Sequence, residues 1–217
     1  MENTERGKTI LCYGDSNTWG AIPGAKHERF PRKDRWPGVL QHLLGNGYYV
    51  IEEGLSGRTT VLEDVFEEGR NGKQLLLPCL RTHKPIDFVL LMLGSNDLKA
   101  RYAMTPFDIS KAVGVLVTMI QQSQSGLNNC SPNILLIAPP PLGRLSDYAE
   151  EFEGGMEKSK KLGEYYALKA RELACDFLDA GTILRSSDGD GVHLDATEHE
   201  KLAKAVADRI IGWSEKD

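Results

Sequence analysis

Short apolar runs alternate with longer amphipathic stretches from one end of this 217-residue sequence to the other. Such alternation is typical of α/β domains, in which helices join parallel strands. Two of the runs are apolar at every position, as expected of central strands that helices cover on both faces. The pattern therefore predicts one domain, residues 1–217, built on a parallel sheet. Its predicted strands span residues 9–13, 48–52, 88–93, 134–138 and 176–179.

The helices between these strands have recognisable ends. Gly45 follows the first of them, at a position where glycine favours helix termination. Thr105, which precedes a proline and is followed three residues later by an acid, has the pattern of a helix cap. The connection 139–155 follows the carboxyl end of a strand, so it is a candidate pocket wall or lid. The predicted helices span residues 36–44, 106–124, 156–174 and 195–211.

Charge and composition exclude several classes of partner. The chain has 26 Lys+Arg against 31 Asp+Glu, a formal charge of −5, with no basic cluster denser than residues 29–35. Nucleic acid is not expected as a partner, because phosphate binding needs a basic face. No apolar run reaches the roughly 18 residues of a membrane span, and residues 1–8 are polar. We therefore expect a cytoplasmic protein that does not bind membranes.

The sequence predicts neither a cofactor nor a metal. No GxGxxG follows the first strand, and GxxxxGK[ST] does not occur, so dinucleotide and P-loop sites are not expected. The four cysteines lie 67, 51 and 45 residues apart, without the close pairs of zinc sites, and are interpreted as reduced thiols. These cysteines are Cys12, Cys79, Cys130 and Cys175.

Four polar segments each come directly after a predicted strand. The first, GDSN at residues 14–17, places Ser16 at the carboxyl edge of the sheet, where it fits a nucleophile or a helix N-cap. The last, DGVH at residues 190–193, puts a carboxylate and an imidazole on one glycine-containing loop. A carboxylate bonded to Nδ1 leaves Nε2 free to accept a hydroxyl proton, although a solvated acidic loop also fits the pattern.

The other two segments can supply hydrogen-bond donors. GSND at residues 94–97 can aim the Asn96 amide at a developing oxyanion, and GLSGR at residues 54–58 lets the Gly57 N–H approach a substrate. Each alone also fits an ordinary turn. Together the four segments converge on one sheet edge and supply the groups needed for acyl transfer. Ser56 is not expected to be the nucleophile, since Arg58 replaces the last glycine of G-x-S-x-G.

In residue type, order and spacing, these segments resemble the blocks of the SGNH (GDSL-type) hydrolases. The resemblance covers the whole chain. The phrases ILCYGDS, IEEGLSGRTT and MLGSND are most similar to the bacterial arylesterase/acyltransferase branch. Asn17 departs from the pattern, because the family name implies Leu at that position.

This resemblance implies a single SGNH hydrolase domain with a flavodoxin-like three-layer α/β/α fold and a central five-stranded parallel sheet. It implies Ser16 as nucleophile, His193 as base and Asp190 as the acid that orients the base. The oxyanion hole would consist of the N–H groups of Ser16 and Gly57 and the side chain of Asn96. The residues expected to contact the substrate are Asp15, Asn17, Trp19, Arg58 and Phe152.

The resemblance also implies an activity. Members of this branch are similar in hydrolysing short-chain acyl esters of small or aryl alcohols, in some cases transferring the acyl group to another acceptor, and they often form homo-oligomers. We therefore expect a serine esterase with a small ester as substrate, no cofactor, and a homo-oligomeric state. A carbohydrate O-acetyl esterase with the same triad is the alternative, since only the leaving-group side of the substrate differs.

Two functions from other classes remain open at this point. A non-enzymatic module would hold a ligand with Trp19 and Arg58. A metal-dependent phosphoesterase would leave Ser16 and Asn96 without a role. Its ligands would come from Asp188, Asp190, His193, Asp195 and His199. In the esterase interpretation, His199 is a surface residue on the exposed face of the last helix.

Overall fold

The computed structural model of the protein describes residues 6–214. Residues 1–5, which carry most of the polar N-terminal segment, and residues 215–217 lie outside the described residues. Within residues 6–214, no helix combines the length and the apolar character needed to cross a membrane.

Five parallel strands form one sheet in the order β2-β1-β3-β4-β5. All five predicted strands are confirmed, with ends that differ from the prediction by no more than two residues. β3 is buried along its whole length, and β4 at all but its first residue, as expected of strands covered on both faces. The strands are β1 (Lys8–Gly14), β2 (Tyr48–Gly54), β3 (Phe88–Met92), β4 (Asn133–Ala138) and β5 (Asp176–Asp179).

Seven α-helices lie in the described part of the chain. They are α1 (Ser16–Trp19), α2 (Trp36–Leu44), α3 (Gly72–His83), α4 (Pro106–Gln122), α5 (Gly155–Ser159), α6 (Leu162–Glu172) and α7 (Ala196–Ser214). Short 3-10 helices are Arg32–Asp34, Gly45–Gly47, Asn96–Leu98, Ala100–Tyr102, Leu127–Asn129 and Ala180–Thr182.

Helices cover both faces of the sheet, which gives the expected three-layer architecture. α3, α4 and α6 pack on one face, and α2 and α7 pack on the other. Alternate residues of each strand contribute to the two cores: Leu11 lies in the first and Cys12 in the second. Tyr166 of α6 is fully buried in the first core and donates a hydrogen bond to the Leu93 carbonyl at 2.8 Å. The predicted α/β/α fold is therefore confirmed.

Local signals account for most helix ends. Gly45 ends α2 with φ of 69°, and Thr105 and Asp108 form a capping box at the start of α4. The pattern does not predict α3, because Pro78 interrupts its leucine run. The helix predicted over residues 156–174 is divided into α5 and α6, with a break at residues 160–161.

His199 is fully buried, so the prediction of an exposed position is wrong. The first turns of α7 pack against α2, and His199 Nδ1 accepts a hydrogen bond from the Trp36 N–H at 3.4 Å. The Phe30 ring meets the imidazole edge-on. Burial, followed by the nearby His193 and Arg35, lowers the pKa of His199 to about 4. The folded protein therefore holds a neutral imidazole here.

The buried His199 makes stability dependent on pH. Because its pKa is lower in the folded protein than in the unfolded chain, the stabilisation is complete above pH about 6.5 and is lost as the pH falls toward about 4. We expect the free energy of unfolding of the wild-type protein to fall by about 3 kcal/mol more than that of His199→Gln between pH 7 and pH 4. Urea denaturation at both pH values measures this difference, and parallel pH profiles for the two proteins would contradict it.

Candidate active site

The nucleophile candidate lies where β1 ends. Asp15 is the N-cap of α1 and accepts a hydrogen bond from the Asn17 N–H at 3.0 Å, so Ser16 is the first residue of the helix rather than its cap. Gly54, at the end of β2, allows α1 to lie against the sheet, because a Cβ at this position would collide with the backbone of Thr18 and Trp19. Ser16 is thereby held at the sheet edge, 6% exposed.

Ser16, His193 and Asp190 form a continuous hydrogen-bonded chain. Ser16 Oγ lies 3.1 Å from His193 Nε2, and His193 Nδ1 lies 2.7 Å from Asp190 Oδ2. An ionised carboxylate can only accept, so the Nδ1 proton faces Asp190; in the neutral imidazole the Nε2 lone pair then faces the serine hydroxyl. Residues 177 positions apart in the sequence are thus arranged for proton transfer from Ser16 to His193.

Backbone N–H groups hold the Asp190 carboxylate in its ionised form. Its Oδ1 accepts from the N–H groups of Val192 and His193 at 2.9 Å each, and its Oδ2 accepts from the Gly24 N–H at 3.0 Å. Burial alone would raise the pKa of Asp190, but the bonds from the His193 ring and from these backbone groups keep it well below its usual range. Asp190 therefore remains charged beside His193.

Asn17 bonds to the loop that carries the histidine. Its Nδ2 donates to the Val192 carbonyl at 3.2 Å, and its Oδ1 accepts from the Leu194 N–H at 3.1 Å. The residues on both sides of His193 are therefore fixed by one buried amide. Asn17 does not line the cavity, and its amide bonds to the backbone instead, so the structure gives no support to the expectation that it contacts substrate.

Three candidate hydrogen-bond donors belong to residues that line the cavity together with the Ser16 hydroxyl. Neither the Ser16 N–H nor the Gly57 N–H has an acceptor within residues 6–214. Asn96 Nδ2 gives one hydrogen to the Arg58 carbonyl at 3.1 Å, which leaves its second hydrogen available. Gly57 has φ of 75°, a conformation that a residue with a side chain rarely adopts. All three residues line the same cavity as His193.

Two other residues expected to contact the substrate, Asp15 and Arg58, are buried outside the cavity lining. Asp15 is 1% exposed and caps α1, and its pKa is raised to about 6 by burial. Arg58 is 4% exposed; its guanidinium donates to the Gly14 and Glu53 carbonyls and stacks over the Tyr13 ring. Neither side chain lines the cavity. The structure therefore gives no support to these two predictions, since both charged groups bond to the loops beneath the cavity.

A cavity of about 640 Å³ lies above Ser16 and His193. Trp19 and Phe152 line it, as expected from the sequence. Sequence reasoning did not single out Tyr148, whose ring meets His193 edge-on at 5.9 Å between centroids, or Gly24, which bonds to Asp190. Tyr148 belongs to the connection 139–155 predicted as a pocket wall; no motif marks Gly24.

The ligands of the metal alternative do not converge. Asp195 accepts from the Ser187 hydroxyl, His199 lies beneath Trp36, and Asp190 bonds to His193. Across residues 6–214, the one group of three possible ligand atoms within 4.8 Å consists of Glu53, Cys79 and His83, outside this cavity. The geometry therefore gives no support to the metal-dependent phosphoesterase.

Residues 12–201 match the family model of GDSL-like lipases and acylhydrolases. The chain belongs to this family. Among solved structures, the native aryl esterase of M. smegmatis is 40% identical, with a TM-score of 0.91 over 94% of this chain and 99% of that chain. Est24, a carbohydrate acetylesterase from Sinorhizobium meliloti, is 38% identical, with a TM-score of 0.91 over 95% and 99% of the two chains. A search of curated proteins finds no significant match.

A more distant structure extends the fold comparison. A G-D-S-L family protein from Veillonella parvula is 14% identical, with a TM-score of 0.62 over 93% of this chain and 97% of that chain, which is a likeness of fold alone.

The family and the similar esterases establish that this SGNH hydrolase is a carboxylic ester hydrolase, a serine esterase that acts on small ester substrates.

The Asn17 amide generates a prediction about the histidine loop. Asn17→Leu restores the residue that the family name implies but leaves the Val192 carbonyl and the Leu194 N–H buried without partners. We expect a loss of about 2–4 kcal/mol in the free energy of unfolding, together with a fall in kcat of about tenfold as His193 is held less firmly.

Thr18→Val is the matched control for this experiment, because the neighbouring Thr18 hydroxyl is buried and has no partner within residues 6–214. Urea denaturation and steady-state kinetics on p-nitrophenyl acetate measure the two effects. A loss of stability no larger than that of Thr18→Val would refute the role assigned to the amide.

Proposed function

We propose that this enzyme hydrolyses short-chain acyl esters through Ser16 as nucleophile, His193 as general base and Asp190 as the group that orients the base. The observation that carries the proposal is the hydrogen-bonded chain from Ser16 Oγ through His193 to Asp190, at 3.1 and 2.7 Å. It lies at the floor of a cavity, beside N–H groups that have no acceptor within the described residues.

The reaction follows from this arrangement. Ser16 Oγ attacks the ester carbonyl carbon while His193 Nε2 takes its proton, and the imidazolium that forms is stabilised by Asp190. His193 then returns the proton to the departing alcohol, leaving an acyl-enzyme. Water, deprotonated by His193, attacks the acyl carbon and releases the carboxylic acid and free Ser16. An alcohol in place of water would give a new ester, so acyl transfer needs only a different acceptor.

The proposed oxyanion hole consists of the Ser16 N–H, the Gly57 N–H and the Asn96 side chain. An N–H without a protein acceptor that lines this cavity can donate to the carbonyl oxygen of the substrate, and the bond strengthens as that oxygen becomes negative. The short strand-to-helix turn at Ser16 places one donor on the nucleophile itself, and the loops after β2 and β3 supply the other two.

Trp19 and Phe152 are proposed as walls that contact the substrate. The cavity, at about 640 Å³, exceeds what an acetyl group fills, so most of it is available to the alcohol part of the ester. Aromatic walls suit an aryl or other apolar alcohol.

A carbohydrate O-acetyl ester is the second candidate substrate, and the cavity rim favours it. Two ion pairs line the cavity: Arg70 with Glu67, and Lys99 with Glu151 at 3.0 Å. Charged groups around an aromatic wall can bond to sugar hydroxyls while the ring stacks on the sugar face. The carbohydrate acetylesterase Est24 is among the similar structures.

The setting of the enzyme is also part of the proposal. All four cysteines are free, which supports the reducing cytoplasm as its compartment. The large apolar side chains of Val65 and Phe66 are each 78% exposed, which supports burial in a homo-oligomer. Light scattering coupled to size exclusion measures the assembly, and a monomeric mass would contradict this part.

The nucleophile is tested by Ser16→Ala, with Ser56→Ala as the matched control. Ser56 also lines the cavity, but within residues 6–214 it is the Ser16 hydroxyl, not that of Ser56, that hydrogen-bonds to an imidazole. We expect Ser16→Ala to fold normally, to lose activity by more than about 10⁴-fold and to escape labelling by a serine-directed phosphonate. Ser56→Ala should retain both turnover and labelling. Wild-type-like turnover by Ser16→Ala would overturn the triad.

Asn96→Ala tests the oxyanion hole. Because this donor bonds to charge that develops in the transition state, we expect kcat to fall by about 10²–10³-fold with KM little changed. Steady-state kinetics on p-nitrophenyl acetate measure both constants. A change in kcat within about twofold would mean that Asn96 only fixes the Arg58 loop.

The two substrate classes are separated by initial rates on an acyl-length series of p-nitrophenyl esters and on a set of acetylated sugars. We expect acetyl esters to react faster than long-chain esters. A kcat/KM for an acetylated sugar above that for p-nitrophenyl acetate, despite its poorer leaving group, would identify the carbohydrate as the preferred alcohol.

A further inference from the structure

Arg58 is a buried cation without a carboxylate partner among the described residues. Its Nη1 donates to two backbone carbonyls instead, those of Gly14, at 2.9 Å, and Glu53. The guanidinium carbon lies 4.2 Å from the centre of the buried Tyr13 ring. Burying a charge in this way is costly, so the contacts that Arg58 makes point to a specific use of the side chain.

These contacts join the ends of two neighbouring strands. Gly14 is the last residue of β1, two positions before Ser16, and Glu53 precedes the last residue of β2, four positions before Gly57. One Nη1 atom therefore bonds to both of the strand ends that lead into the loops of Ser16 and Gly57, whose N–H groups have no acceptor within residues 6–214.

The Arg58 backbone contacts the remaining donor. Its carbonyl accepts from Asn96 Nδ2 at 3.1 Å, and its N–H donates to the Leu55 carbonyl at 3.1 Å, which closes the turn containing Gly57. A single residue thus contacts all three segments of the proposed oxyanion hole, while its own side chain lines no part of the cavity.

We propose that Arg58 is a positioning residue that fixes the relative placement of the Ser16 N–H, the Gly57 N–H and the Asn96 amide. This inference rests on the proposed function, because it assigns Arg58 to the oxyanion hole of that reaction. Donors that are displaced bind the transition-state oxyanion less well but leave ground-state binding almost unchanged, so the loss falls on kcat rather than on KM.

Lysine does not replace arginine in this role. An ammonium retains the positive charge but lacks the planar surface that stacks on Tyr13, and its nitrogen sits on a flexible stem rather than on a planar fork. Arg58→Lys therefore keeps the positive charge but loses the placement of the hydrogen-bond donor. Arg58→Met removes both the charge and the donor while keeping an apolar side chain over the Tyr13 ring. Arg35→Lys is the matched control, since Arg35 is also buried and bonds to Glu52, outside the cavity lining.

The experiment measures kcat and KM on p-nitrophenyl acetate, with kcat expressed per site titrated by a serine-directed phosphonate. Titration counts only competent sites, so partial unfolding does not imitate a loss of rate. We expect kcat per site to fall by about tenfold in Arg58→Lys and about 10²-fold in Arg58→Met, with KM within about threefold of wild type. Arg35→Lys should keep the wild-type kcat per site.

Combination with Asn96→Ala tests whether Arg58 acts through the donors. If it does, Arg58→Lys should reduce kcat less in the Asn96→Ala background than in the wild-type background. Equal fold-losses in the two backgrounds would overturn the inference. A kcat per site for Arg58→Lys equal to that of Arg35→Lys would also overturn it. A rise in KM at constant kcat would do the same, because it would indicate a substrate contact. If Arg58→Met does not fold, the kcat per site of Arg58→Lys alone tests the inference.

Failure of this inference is distinguishable from failure of the proposed function. Active Ser16→Ala that escapes phosphonate labelling would refute the triad, and the oxyanion hole with it. Inactive Ser16→Ala together with undiminished kcat in the Arg58 variants would refute the role of Arg58 alone.

Discussion

The parallel direction of the five strands is the constraint on which the site depends. All strands end at the same edge, so every strand-to-helix loop emerges there. β1 lies between β2 and β3, which makes the loops of Ser16, Gly57 and Asn96 immediate neighbours. The histidine loop starts from β5 at the sheet margin, beyond β4, and must reach back across two strand ends. Its bonds to Asn17 and Gly24 hold it there.

Buried charged and polar groups connect these loops. Asp97, in the loop after β3, accepts from both the N–H and the hydroxyl of Thr60, in the loop after β2. Burial raises the pKa values of Asp15 and Asp97 to about 6, in spite of the hydrogen bonds that each accepts. Arg58 is buried against the same loops, next to donors that have no acceptor among residues 6–214. Such an arrangement costs stability and is typical of a site prepared for developing charge.

The similar solved structures include esterases that are named for different substrates. An aryl esterase and a carbohydrate acetylesterase are each about 40% identical to this chain, and both align with it over nearly their whole length. In this chain the wall consists of Trp19, Tyr148 and Phe152, with the ion pairs of Arg70 and Lys99 at the rim.

The sequence alone determined the strands, most helices and the four loops, because apolar periodicity and strand-end motifs are local signals. It also brought Ser16, Asp190 and His193 to one edge, since parallel strands leave the chain no other place for them. Only the tertiary structure decided which polar residues face the cavity. Asp15, Asn17 and Arg58 carry the same chemistry whether exposed or buried, and burial depends on how separate loops pack. Likewise, His199 became a core residue because α7 meets α2; Trp36 and His199 are 163 residues apart, and no local pattern records their contact.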